Sequence, residues 1–188
     1  MSAGQGPVAV LIGSPGAGKT TVGRRVARSL GLDFVDADAL IEEEAQMSVS
    51  DIFVERGEAA FRDLEAEVIE RALRESTGIV SLGGGAVLRE QTREALVGHR
   101  VVWLEVGVSD AASRVGMNTA RPLLLGNVRG TLSALLEQRN PLYASVATDR
   151  VDTTGLTLRQ VVDAVLALLG GDAPAVASSS GDGVSDGR

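Results

Sequence analysis

Val8-Ala9-Val10-Leu11-Ile12-Gly13-Ser14-Pro15-Gly16-Ala17-Gly18-Lys19-Thr20-Thr21 is the stretch whose reading decides the fold. Val8–Ile12 is an unbroken apolar run that ends in glycine, as expected of a strand buried on both faces of a parallel sheet. Gly13 to Thr20 satisfy G-x-x-x-x-G-K-[ST]. From Lys19, the small or apolar residues Val22, Val26, Ala27 and Leu30 recur at helical spacing before Gly31 closes the pattern. Strand, glycine-rich turn and helix form the context this motif needs. There the glycines let backbone N–H groups turn inward around phosphate oxygens, and the helix N-terminus adds partial positive charge. Lys19 can reach the terminal phosphates, and the Thr20 hydroxyl can ligate Mg²⁺. Seventeen of the eighteen cations are arginine, and the one lysine is Lys19. A codon bias accounts for the arginines but not for the exception. A glycine turn that binds nothing is the weaker reading, and nucleoside triphosphate binding the stronger.

Further along the chain, Leu32–Val35, Gly78–Leu82, Arg100–Val106 and Arg150–Asp152 read as strands. Ala39–Gln46, Asp51–Arg56 (with Ser50 as its cap), Glu58–Glu75, Arg89–Val97, Ser109–Val115, Leu132–Arg139 and Thr157–Leu169 read as helices, with Pro141 starting a separate turn. Strands alternating with helices predict an α/β layered fold around a parallel sheet of five strands. Residues 116–130 have little periodicity and read as a mobile flap. Residues 1–170 are expected to form one domain, and the Gly, Ser, Asp and Ala-rich residues 171–188 a disordered tail.

Composition narrows the function. The chain has 188 residues and a formal charge of −7, which argues against nucleic acid as a general partner. No cysteine means no disulfide and no thiolate chemistry, and the single histidine, His99, excludes a two-histidine site. No apolar run approaches a membrane span, and the N-terminus lacks a signal-peptide pattern. A cytoplasmic protein with no membrane partner is expected. Without a second lysine the guanine-reading [NT]-K-x-D element cannot exist. No strand ends in the Asp-Glu pair of a motor ATPase. A small-molecule kinase needs a pocket beside the γ-phosphate and a lid that excludes water.

Candidate residues for that pocket follow. Asp36-Ala37-Asp38 lies just past the second strand, at the carboxyl edge where α/β sheets bind ligands. One carboxylate can hold Mg²⁺ through water and the other an acceptor hydroxyl; a helix cap plus a solvated acid is an equally weighted alternative. Arg62 stands at helical spacing from Glu58 and Glu65, so an ordinary surface pair explains it equally well. Gly83-Gly84-Gly85 leaves bare backbone after the third strand, open to a ligand or simply flexible.

Together, GSPGAGKTT (13–21), DAD (36–38), ERGEAAFRDLE (55–65), SLGGGAV (81–87), NTARPLL (118–124) and QRNPLYASVA (138–147) resemble the shikimate kinase family in order and spacing, from residue 8 to about 152. The resemblance implies a P-loop, nucleoside-monophosphate-kinase-like fold with strand order 2-3-1-4-5. It also implies transfer of the ATP γ-phosphoryl group to the 3-hydroxyl of shikimate, a step toward chorismate and the aromatic amino acids. By position, Gly16, Ala17, Gly18, Lys19, Thr20 and Thr21 match the ATP phosphate loop, with Lys19 neutralising the transferred group. Thr20 matches the Mg²⁺ ligand and Asp36 its support through water. Asp38 matches the acid on the substrate hydroxyls, as general base or as positioning acceptor. Arg62 and Arg139 match the carboxylate clamp, and Gly83, Gly84 and Gly85 the turn against the ring. Arg121 matches the lid arginine on the phosphates and Arg114 a residue at the adenine face. Where the family often has a basic or polar residue and proline, this chain reads Thr153-Thr154-Gly155-Leu156-Thr157-Leu158, so no adenine contact carries over there. A monomer acting on shikimate and ATP is the expectation. A kinase of another hydroxy acid or sugar such as gluconate, or a silent ATP-binding regulator, is the alternative.

Overall fold

A computed structural model describes residues 6–116 and 128–170. Five parallel strands lie in the order β2-β3-β1-β4-β5, with β1 Ala9–Ile12, β2 Phe34–Asp36, β3 Ile79–Ser81, β4 Val101–Glu105 and β5 Asp149–Asp152. The order is the one the resemblance implies. β1 is central, in register with Ile79–Ser81 on one side and Val101–Trp103 on the other. Its side chains alternate, so both faces must be covered and no polar position is left. Ala9 and Leu11 join a core with Val22, Val26, Val161 and Val165 beneath α1 (Lys19–Leu30) and α7 (Leu158–Gly170). Val10 and Ile12 face the opposite core with Ile69, Leu73, Trp103 and Tyr143, beneath α3 (Val49–Glu75) and α6 (Val128–Val146). A smaller cluster, Ile41, Ile52, Phe61 and Val68, joins α2 (Ala37–Ala45) to α3.

Several expected boundaries move. Ser48, not Ser50, caps α3: its hydroxyl accepts from the Asp51 N–H at 3.1 Å and donates to Asp51 Oδ2 at 2.6 Å. A serine three residues ahead of an acid satisfies both partners, which Ser50 cannot do from inside the helix. α3 is interrupted at Gly57 (φ 82°), the break expected between Arg56 and Glu58. The helix expected over Arg89–Val97 is shorter, α4 Glu90–Ala95, and a 3₁₀ turn, Ala86–Leu88, precedes it. Arg93 Nη1 ties the two together by donating to Val87 O (2.7 Å) and Leu88 O (3.1 Å). α6 continues through Pro141 without a new start, because burial of Leu136 and Tyr143 on either side holds the helix across the missing N–H. α5 (Val108–Gly116) and the first turn of α6 enter the expected flap from both ends; residues 117–127 and the expected tail, 171–188, lie outside the described residues. Among the described residues no helix is long and apolar enough to cross a membrane.

Candidate active site

The carboxyl edge of β1, β2 and β3 gathers most of the candidate residues. At the end of β1, Gly13, Gly16 and Gly18 have φ of 145°, 83° and 89°, values that L side chains rarely adopt. A Cβ on Gly13 would collide with Leu104 O of β4. The loop is thus shaped by its glycines and leads straight into α1. Lys19 Nζ donates to Ser14 O across the loop at 3.1 Å. Thr20 Oγ1 donates to Asp36 Oδ2 at 2.7 Å, so a hydroxyl and a carboxylate sit side by side at the head of α1. Asp36 is also the cap of α2, accepting from the Asp38 N–H at 3.1 Å. The two readings of Asp36 are compatible, because each carboxylate oxygen takes one of them. Arg114 donates to Gly16 O (3.3 Å) and to Thr153 O (3.3 Å), linking the loop to the turn after β5.

The other half converges on Gly83-Gly84-Gly85. A Cβ on Gly83 would lie 2.6 Å from Asp38 Oδ1, and one on Gly85 2.6 Å from Arg62 Nη1. Arg139 Nη1 donates to Gly84 O at 2.9 Å. A Cβ on Gly84 would meet Pro15 Cδ at 2.9 Å, so the turn also abuts the phosphate loop. One short turn therefore touches Asp38, Arg62, Arg139 and the loop, and a side chain on it would displace them.

Arg62 is not a surface residue: its side chain is 12% exposed, and it pairs with Glu65 at 2.5 Å and Glu58 at 3.6 Å. Glu65 is 2% exposed. Burial pushes its carboxyl above the ordinary value, and the Arg62 guanidinium offsets this only in part; Asp38 raises it and Arg139 lowers it by less. Phe61 and Phe53, centroids 4.5 Å apart, flank the Arg62 guanidinium. Arg62 Nε and Arg139 Nε are buried and find no hydrogen-bond partner among the described residues. Two arginines 77 positions apart thus converge on one glycine turn, Arg62 Nε turned to Glu58 and Arg139 Nε with its hydrogen-bonding capacity unused.

The shikimate kinase family model covers residues 15–170. The chain belongs to the shikimate kinase family. It is 60% identical over 159 residues to the shikimate kinase of Thermobifida fusca (strain YX), covering 85% of this chain and 92% of that one. Among solved structures, the shikimate kinase from Acinetobacter baumannii in complex with shikimate superposes with a TM-score of 0.82 at 34% identity, over 87% of this chain and 92% of that one. The shikimate kinase from Aquifex aeolicus superposes with a TM-score of 0.75 at 29% identity, over 87% and 96%. The fold is accordingly that of the P-loop nucleoside-monophosphate kinases.

Of the sequence-derived candidates in this shikimate kinase family chain, Lys19, Thr20 and Asp36 meet at the loop, and Asp38, Arg62, Arg139 and Gly83–Gly85 meet at the turn. Arg114 stands apart, on the far side of the loop. Arg121 lies outside the described residues. Two neighbours escape sequence reasoning. Glu65 reads as a solvated partner of Arg62 yet is buried, and Tyr143 is buried with its hydroxyl 2.5 Å from Gly84 O. Their signal is spacing alone: three residues after Arg62 and four after Arg139.

Proposed function

We propose that this chain transfers the γ-phosphoryl group of ATP to the 3-hydroxyl of shikimate, giving shikimate 3-phosphate and ADP on the route to chorismate. The observation that carries this is the convergence of Arg62 and Arg139 on Gly83–Gly85, with Asp38 beside them. Planar forked donors suit a carboxylate, and a carboxylate acceptor suits a hydroxyl, so the pocket fits a small hydroxylated acid. The site residues take the following roles. Backbone N–H groups of Gly16, Ala17 and Gly18 with Thr21 hold the ATP phosphates, and Lys19 neutralises charge on the group in transit. Asp38 accepts a hydrogen bond from the attacking hydroxyl and points it toward the γ-phosphorus. Arg62 and Arg139 fix the substrate carboxylate while Gly84 presents its backbone to the ring. Arg114 borders the nucleotide, and Arg121 comes to the phosphates from the lid.

Thr20 and Asp36 fit Mg²⁺, since a hydroxyl and a carboxylate oxygen 2.7 Å apart are the hard donors that ion takes. They would hold it directly and through water, and when bound it supplies charge neutralisation on the phosphates. The enzyme acts as a cytoplasmic monomer whose domain ends near residue 170. The test is ADP release with shikimate, quinate and gluconate in parallel. Release is expected with shikimate, and preference for gluconate or release with none of them would overturn the reading.

A further inference from the structure

We infer that Tyr143 is a positioning residue of the acceptor pocket: with Arg139 it pins the Gly84 carbonyl, and so fixes both the glycine turn and the Arg139 guanidinium. The inference rests on the reading of Arg139 as a carboxylate-binding group.

The turn has three carbonyls to satisfy. Gly83 O accepts from the Ala86 N–H at 3.1 Å, and Gly85 O from the Leu88 N–H at 3.0 Å. The middle one, Gly84 O, is reached by side chains of α6: the Tyr143 hydroxyl donates at 2.5 Å and Arg139 Nη1 at 2.9 Å. The two residues are one helical turn apart and so share a face. The carbonyl has two lone pairs, and each takes one of them. Without the hydroxyl, Arg139 alone would hold the oxygen and could swing between it and a substrate carboxylate. With it, the peptide stays fixed whatever Arg139 does.

The donor itself cannot wander. Tyr143 is fully buried, and its ring lies 5.9 Å from that of Trp103, a β4 residue in the core with Val10, Val80 and Leu82. Burial pushes the phenol up to about 12, so it remains a neutral donor at any assay pH. Hence the strand core, through one hydroxyl, sets the geometry of a turn that touches Asp38, Arg62 and the phosphate loop.

Tyr143→Phe removes only the hydroxyl. It should raise the shikimate KM about three- to tenfold, the scale of one neutral hydrogen bond, and leave the ATP KM unchanged. Combined with Arg139→Ala, it should add less than about twofold, because residues acting as one unit are not additive. Tyr143 is the sole tyrosine, so uniform 3-fluorotyrosine labelling puts one ¹⁹F reporter there in an otherwise unaltered chain, and saturating shikimate should shift its resonance. Full additivity in the double variant, or an unmoved resonance, overturns the inference. If Arg139→Ala raises the shikimate KM and Tyr143→Phe does not, the positioning role alone falls. If Arg139→Ala has no effect on it, the carboxylate clamp falls, and Tyr143 with it.

Discussion

The two ends of the site are built in opposite ways. The phosphate end is one stretch of chain, Gly13–Thr21, running from β1 into α1 with Asp36 and Arg114 added from outside. The acceptor end is assembled from α2, α3, the turn after β3, and α6, whose contributing residues span positions 38 to 143. The loop shape comes from positive-φ glycines within one short stretch of chain. The acceptor pocket exists only once Phe61, Ile69, Trp103 and Tyr143 are packed. Substitutions at the first end should therefore abolish chemistry without touching the fold, whereas those at the second should move substrate affinity and stability together.

Lys19→Ala gives the largest effect expected. Removing a preorganised charge from a transferring group commonly lowers kcat by about 10²–10³-fold. The ammonium is only partly buried and sits on the loop outside the apolar clusters, so thermal stability should change within about 0.5 kcal/mol. Lys19→Arg should fail too, because a planar fork does not replace a compact charge in that cradle. A variant that loses activity by unfolding would erase the contrast between the two ends.

Arg62→Ala is the counterpart at the acceptor end. A charge-assisted contact to a carboxylate is worth roughly 1.5–3 kcal/mol, so the shikimate KM should rise about ten- to a hundredfold and the ATP KM little. Unlike Lys19→Ala, it also leaves Glu65 buried without its closest partner, and the melting temperature should fall. Shikimate amide, lacking the charge, should be a poor substrate of the wild type and lose far less in the variant. Equal turnover of acid and amide by the wild type would remove the clamp from this pocket.

Asp36 bonds Thr20 at the phosphate end and also caps the helix that carries Asp38, which makes it a finer probe. Asp36→Asn keeps an oxygen for the Asp38 N–H but weakens the donor set for Mg²⁺. The Mg²⁺ concentration for half-maximal rate should rise about tenfold, with the melting temperature held. Asp36→Ala removes the cap as well, costing about 1 kcal/mol or roughly 2–4 °C in a chain of this size. Equal melting temperatures for the two variants would show that the cap contributes nothing.

The same contrast explains what could be read from sequence. The five strands, the loop and the α1 face follow from runs and spacings within about twenty residues, whereas the strand order comes only with the family resemblance. The break at Gly57 is legible because a glycine separates the two helical stretches Asp51–Arg56 and Glu58–Glu75. Ser48 and Ser50 are both plausible caps by type, and only the reciprocal bond with Asp51 distinguishes them. Arg62 and Arg139 carry the resemblance, but residue spacing says only that Arg62 has acids nearby on its helix. That this helix face is buried, making Glu65 a core carboxylate, depends on α2 and the glycine turn closing over it. Tyr143 lies past the helix expected over Leu132–Arg139, and nothing local says that its hydroxyl reaches Gly84.

The smallest effect expected is a pH dependence at Glu65. Burial outweighs Arg62 and holds its carboxyl above the ordinary 4.5. A raised carboxyl means the folded state binds the proton more tightly than the unfolded chain does. Its contribution to stability is then full below 4.5 and is lost as pH rises through the folded value, by at most about 1.4 kcal/mol per pH unit inside that window. Glu65→Gln cannot titrate, so the wild-type melting temperature minus that of the variant should be largest near pH 4.5 and shrink toward pH 8. Arg62→Ala removes the strongest group holding the carboxyl down, so the same decline should extend to higher pH in that background. A gap that instead widens with pH would mean that Arg62 outweighs burial, making the pair an ordinary stabilising ion pair. The acceptor end would then be no more tightly tied to the core than the phosphate end.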